Sequence, residues 1–143
     1  MTVSGTNKKR ALKLADDRMC FGCGHKNPHG LNLKFSVARD QRSIRCRWTP
    51  AKEFQGYAEI VHGGILGLIL DEIMLNLLWI TKRPAVTAEL TVRFKKPARV
   101  GEPIDFKAHV ESEKGRVIRM ASAAHAGGRL IAEATAVCIR VVR

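Results

Sequence analysis

The sequence predicts an α+β domain in which a curved antiparallel sheet of about six strands wraps round one long central apolar helix. Three observations predict it. Val61 to Ile80, VHGGILGLILDEIMLNLLWI, is apolar nearly all round at helical spacing, so it needs cover on most sides. Runs of alternating apolar and polar residues lie on both sides of it. The chain of 143 residues suits one domain with a proper core.

Met1 to Asp17 is polar, with at most a helical turn around Arg10–Asp17, and residues 1–18 read as an extension ahead of a single domain over 19–143. Met19 to Leu33, MCFGCGHKNPHGLNL, is a turn-rich loop holding Cys20, Cys23, His25 and His29. All four are zinc-ligand types, but no loop of about a dozen residues separates the two pairs as in a folded finger. Three readings stay open: a structural loop with the cysteines and Phe21 packed inward, a zinc site, or a wall of a ligand tunnel.

Leu31 to Ala38 and Ile44 to Trp48 both alternate and form a hairpin across Gln41-Arg42-Ser43. Thr49 to Ile60 is loop, with Phe54 and Tyr57 as candidates to line a pocket. The helix follows. It lacks proline, is rich in leucine, and stops near Lys82–Arg83 ahead of Pro84. Its apolar run is too short and too acidic to be expected to span a bilayer. Ala85 to Lys95, Ile104 to Val110, Arg116 to His125 and Arg129 to Val142 read as four more strands. Glu111 to Gly115 is expected as a turn, and Gly127-Gly128 as a tight hairpin.

Asp71 and Glu72 stand out in this apolar helix, because carboxylates are rarely buried without a partner or a task. On the helical wheel Gly64, Gly67 and Asp71 share one stripe, and Glu72 and Asn76 a second. The amides of the first turn, around Gly63, Gly64 and Ile65, can hold a developing negative charge. Gly64 and Asp71 lie roughly 10 Å apart along the helix, too far to touch one carbonyl carbon. If both serve one reaction, a two-fold dimer must supply one of them from a second chain. The plainer reading pairs both acids with arginines.

The formal net charge of +12 predicts attraction to polyanions or phosphate-bearing ligands. The basic residues are spread out, with dense spots only at Lys8-Lys9-Arg10 and Lys95-Lys96, and no nucleic-acid-binding motif is present, so nucleic acid is not the expected partner. No signal peptide or membrane span is read, and the four cysteines are expected as reduced thiols in a cytoplasm.

The stretch QGYAEIVHGGILGLILDE resembles the phenylacetyl-CoA-type (PaaI-like) hotdog thioesterases, which carry an HGG turn and a helix acid nine residues after the histidine, here Asp71. The resemblance continues through AVTAELTVRFKKPARVGEP, with Thr87 sixteen residues after the acid, and through CFGCGHKNPHGL. It implies a hotdog fold and hydrolysis of acyl-CoA thioesters at a dimer interface. Asp71 is implied as general base or nucleophile, Gly64 of a partner chain as the amide that polarises the carbonyl, His62 as the turn's anchor or an acyl contact, and Thr87 as the residue that orients water. Gly63, Ile65 and Glu72 are placed at the substrate. Glu72 is also a rival acid, expected instead to pair with a basic group. Arg93, Lys95, Lys96 and Arg99 are expected to meet coenzyme A phosphates, as are Lys114 and Arg116. No cofactor or metal is implied beyond the coenzyme A of the substrate. A homodimer is expected, pairing again into a tetramer. A hotdog protein that binds acyl-CoA or an acyl carrier without hydrolysis, and a hotdog dehydratase or hydratase, are the competing readings.

Overall fold

A computed structural model of the protein describes residues 12–141. The Lys8-Lys9-Arg10 cluster and Val142 lie outside the described residues. Residues 12–17 form no helical turn.

The strands are β1 (Ser36–Val37), β2 (Ser43–Trp48), β3 (Ala85–Phe94), β4 (Ile104–Lys114), β5 (Val117–Ala126) and β6 (Arg129–Arg140), with helix α1 (Gly63–Ile80) between β2 and β3. They make one antiparallel sheet in the order β1-β2-β4-β5-β6-β3. β3 follows the helix in sequence yet sits at the far edge. The sheet therefore closes round α1 from both sides, the architecture of a hotdog fold.

Packing explains the arrangement. Ile69, Leu70, Ile73, Met74, Leu77 and Leu78 are fully buried on the helix side that meets the sheet. They face Ile104, Phe106, Ile118, Met120 and Ile131, and each such side chain stabilises the fold by roughly 1.5–3 kcal/mol. Ala124, Ala132, Ala134 and Ala136 are buried on β5 and β6, where small side chains let the helix sit close. The Ser122 hydroxyl donates to the Leu70 carbonyl at 3.0 Å and ties helix to sheet. By length and composition α1 could cross a membrane, contrary to the expectation from its acids. Its buried side packed on the sheet makes it a core helix here.

The helix is not covered all round. Gly64, Ile65, Leu68, Asp71, Glu72, Leu75, Asn76 and Trp79 are half-buried or exposed along one open face. Its end is a Schellman cap: the Arg83 amide donates to Leu78 O at 2.7 Å and the Lys82 amide to Trp79 O at 3.2 Å. Lys82 takes the left-handed position at φ 67°.

Two expectations about strands change. Leu31 and Leu33 are buried as their alternation requires, but only Ser36–Val37 pairs as a strand. The amides of Leu31 and Leu33 donate instead to the carbonyls of Phe21 and Gly22, each at 2.9 Å, so this stretch binds the preceding loop. The turn expected at 111–115 is strand up to Lys114, and the chain reverses at Gly115-Arg116. Pairing with β5, through a bulge after Val110, outweighs the polar ESEK composition. The Gly127-Gly128 hairpin stands as read, with both glycines at positive φ.

Candidate active site

Helix α1 runs antiparallel to the edge strand β3, and three positions on it face that strand. A Cβ on Gly63 would lie 3.4 Å from the Phe94 ring, and one on Gly67 would lie 3.7 Å from Val92. One turn further, Thr87 Oγ1 donates to Asp71 Oδ1 at 2.6 Å. The stripe that faces β3 thus begins at Gly63, not at Gly64, which is exposed. A Cβ at either glycine would make only an ordinary contact, and the approach of helix and strand along this stripe brings the Thr87 hydroxyl to the carboxylate. A register shift between Thr87 and Glu89 in the β3–β6 pairing gives β3 an extra residue there. Such a bulge re-aims a side chain.

Asp71 is half-buried, and its carboxyl is pushed above the ordinary range. Loss of hydration is the main cause, the Thr87 hydrogen bond opposes it, and the Glu72 charge adds to it. Cys138, buried on β6 and paired with Thr87 in the ladder, has its thiol raised by burial, with Asp71 adding to the effect. Nothing in the spacing of Cys138 pointed to this neighbourhood; only the strand register reveals it.

At the helix start, His62 is the N-cap, and its Nδ1 accepts from the Gly64 amide at 2.9 Å. His62 therefore anchors the turn. Among the described residues the Gly63 amide donates to no acceptor. Ile65 is half-buried beside them. The HGG turn is pinned to the 98–100 segment: the Val61 amide donates to Ala98 O at 2.8 Å, and Ile60 bridges to Arg99. This brings the 93–99 basic cluster to the same end of the molecule as the HGG turn. Arg93, Lys95, Lys96 and Arg99 are all exposed, and Lys95 sits 3.7 Å from Glu133. Lys114 and Arg116 are not part of this cluster. They lie at the β4–β5 turn, by the helix C-terminus, where Arg83 pairs with Glu113 at 2.8 Å. Tyr57 is 86% exposed, and Phe54 packs edge-on against Trp48 at 5.4 Å, so neither lines a pocket at Asp71.

The acids do not pair with arginines: among the described residues no ion pair involves Asp71 or Glu72. The basic partner expected for Glu72 is replaced by two neutral donors. Cys20 Sγ donates to Glu72 Oε1 at 3.1 Å and Asn76 Nδ2 donates to the same oxygen at 2.9 Å. Gly22 makes the contact possible, since a Cβ there would lie 2.7 Å from the Glu72 carboxyl carbon. Burial raises the Cys23 thiol far above its usual range, with Glu72 and Cys20 adding to the effect. His25 and His29 are exposed and stand outside this group, and Phe21 faces outward, contrary to the inward packing expected.

A cavity of about 220 Å³ opens beside Glu72, Asn76 and Trp79. A larger groove of about 550 Å³ lies across β2 and β4, lined by Arg45, Arg47 and Lys107. Asp71 lines neither. The carboxylate lies at the boundary between the edge strand and the open helix face.

The family profile described as "Thioesterase superfamily" matches residues 58–133, more than half of the chain, from the loop before the HGG turn into β6. A mouse protein named acyl-coenzyme A thioesterase 13 is 31% identical over 88 residues, which is 60% of this chain and 62% of the relative. The chain thus aligns with less than two thirds of that relative's length. Among solved structures, a phenylacetic acid degradation-related protein from Ralstonia eutropha superposes with a TM-score of 0.70 at 26% identity, over 76% of this chain and 85% of that one. A thioesterase protein from Streptococcus pneumoniae, described as hypothetical and solved with coenzyme A, superposes with a TM-score of 0.69 at 15% identity, over 76% and 89% of the two chains.

Proposed function

This chain belongs to the thioesterase superfamily, and from that premise we propose that it hydrolyses acyl-coenzyme A thioesters, with Asp71 as general base. The observation that carries the proposal is the Thr87–Asp71 hydrogen bond of 2.6 Å on a half-buried carboxylate. Thr87 occupies Oδ1 and leaves Oδ2 to take a proton from water. A carboxylate raised by lost hydration is a stronger base than an exposed one.

In this reading water loses its proton to Asp71 as its oxygen adds to the thioester carbonyl carbon. The carbonyl oxygen becomes an oxyanion held by amide dipoles at a helix start. Collapse breaks the carbon–sulfur bond, and the departing thiolate takes up the proton, giving free acid and coenzyme A. The resemblance assigned the amide role to Gly64. That N–H is engaged by His62 at 2.9 Å, so the geometry favours Gly63, whose N–H is free among the described residues. Coenzyme A enters as part of the substrate. The Arg93, Lys95, Lys96 and Arg99 cluster, at the same end as the HGG turn, is suited to its phosphates. The Streptococcus neighbour solved with coenzyme A supports the same class of ligand.

One chain is not enough for this site. Gly63 and Asp71 are eight residues apart on one helix, about 12 Å. A dimer related by a two-fold axis brings the HGG turn of one chain to Asp71 of the other. The uncovered helix face supports this, as does edge strand β3, which exposes Leu90 and Phe94. Pairing of dimers into a tetramer remains part of the proposal.

The test is free-thiol release from acetyl-, hexanoyl-, palmitoyl-, phenylacetyl- and benzoyl-CoA by the native chain and by Asp71→Ala. Turnover by the native chain and a loss of about a hundred-fold or more in the variant is expected. No release from any of the five, or equal release by both proteins, overturns the proposal.

A further inference from the structure

We propose that Cys20, Cys23 and Glu72 form a binding site for a divalent transition metal of the zinc class. The two thiol sulfurs and a Glu72 carboxylate oxygen all lie within 4.8 Å of one another. Ligand atoms about 2.0–2.3 Å from a tetrahedral zinc are spaced roughly 3.3–3.8 Å apart, so small side-chain rotations bring this trio into range. Two thiolates and a carboxylate are a borderline-soft donor set suited to zinc, and a poor one for magnesium or calcium.

The surroundings are built for it. Gly22, between the cysteines, has no side chain to push the Glu72 carboxyl from its present position beside them. Asn76, one helical turn on, donates to Glu72 Oε1 at 2.9 Å and fixes the carboxylate's orientation, as a residue behind a metal ligand does. The loop is held in shape by its own backbone, with the Gly24 amide donating to Cys20 O at 2.8 Å and the Leu33 amide to Gly22 O at 2.9 Å. The cavity of about 220 Å³ borders all three side chains, leaving room for water at a fourth position.

Binding replaces the thiol protons, including the one Cys20 now shares with Glu72, so one metal ion enters and two protons leave. The ion then clips the 19–33 loop to α1 at the residue beside Asp71. The ligand set differs from the two cysteines and two histidines that the sequence offered. The carboxylate comes from a helix roughly fifty residues away, and His25 and His29 take no part. This inference is independent of the thioesterase reading.

The test is cobalt titration of the reduced, untagged full-length chain in metal-free buffer, followed by zinc displacement. One cobalt per chain is expected, with a sulfur-to-cobalt charge-transfer band that zinc removes. Cys20→Ser and Cys23→Ser each abolish the band, Glu72→Gln weakens cobalt binding by roughly ten-fold or more, and the double change His25→Ala with His29→Ala leaves binding intact. Circular dichroism checks the fold of each variant. If a cysteine variant fails to fold, the near-isosteric Glu72→Gln decides, and unchanged affinity in it overturns the proposal. So does absence of the band, its survival in both cysteine variants, or its loss with the histidines.

Discussion

Thr87 on the edge strand donates its hydroxyl hydrogen to Asp71 on the central helix at 2.6 Å, joining strand to helix through residues sixteen apart in sequence. Both lie beside buried Cys138, and the pair lies at the open side of the helix, not in the core. The bond does two things: it partly stabilises the carboxylate's charge, and it fixes which oxygen faces outward.

Removing that hydroxyl tests the second role. Thr87→Val keeps the shape and loses the donor. A hydrogen bond to a charged group contributes about 1.5–3 kcal/mol, so thioester turnover is expected to fall about ten- to a hundred-fold, mostly in kcat. Thr87→Ser restores the donor and retains most of the activity. Equal losses in both variants would show that Thr87 only packs.

The raised pKa of Asp71 sets a pH dependence with a definite sign. Below the unfolded-state value the group is protonated in both states and costs the fold nothing. As pH rises through the higher folded-state value, the folded protein must ionise a half-buried carboxyl, and stability is lost. Asp71→Asn is therefore expected to melt higher than the native chain at neutral pH, with the gap closing in acid. Activity runs the other way: it rises with pH through the same ionisation, and its acid limb lies above the ordinary carboxylate range. Melting curves and a kcat/KM profile across pH check both halves. A limb at or below the ordinary range contradicts the assignment.

Gly67 offers a test of packing against propensity. A Cβ there meets Val92 at 3.7 Å, an ordinary contact, so Gly67→Ala removes a flexible residue from mid-helix without a clash. Stability is expected to rise by about 0.5–1 kcal/mol in urea denaturation. Gly67→Leu pushes helix from strand and is expected to cost about 1–3 kcal/mol. A loss in the alanine variant would mean that β3 sits closer than the contact distance indicates.

Gly24 is different, because its neighbours are backbone. A Cβ there would lie 2.5 Å from the Arg18 carbonyl oxygen and would collide with the Cys20 amide nitrogen. Neither can rotate away. Gly24→Ala is expected to destabilise by about 1–3 kcal/mol and to open the 19–33 loop to proteolysis while α1 and the sheet stay folded. Limited proteolysis with circular dichroism separates the two effects.

How much of this was legible in the chain depends on the range of the interaction. Apolar periodicity placed the helix and a strand at each of the six positions, though only Ser36–Val37 of the first pairs, because period 3.6 and period 2 are local properties; the Gly127-Gly128 hairpin was legible from its turn residues. The same logic placed Glu72 and Asn76 on one helix stripe, and they do bond at 2.9 Å. The acid-bearing helix and its HGG start marked the candidate site for the same reason, being one continuous segment. The false turn at 111–115 arose because polar composition was read without the β5 partner that holds those residues in a ladder.

Which residues meet across the fold was decided by tertiary structure alone. Periodicity could not say that β3 would cross to the far edge of the sheet; the resemblance put Thr87 at the site of Asp71, but the bond between them comes from the fold. Nor could periodicity say that the Cys-x-x-Cys loop would close on Glu72 in place of a basic side chain. Local sequence sets the periodicity of each segment and hence the face it buries. Partners far apart along the chain are chosen only when those faces pack together, and the chemistry of this site lies in such pairs.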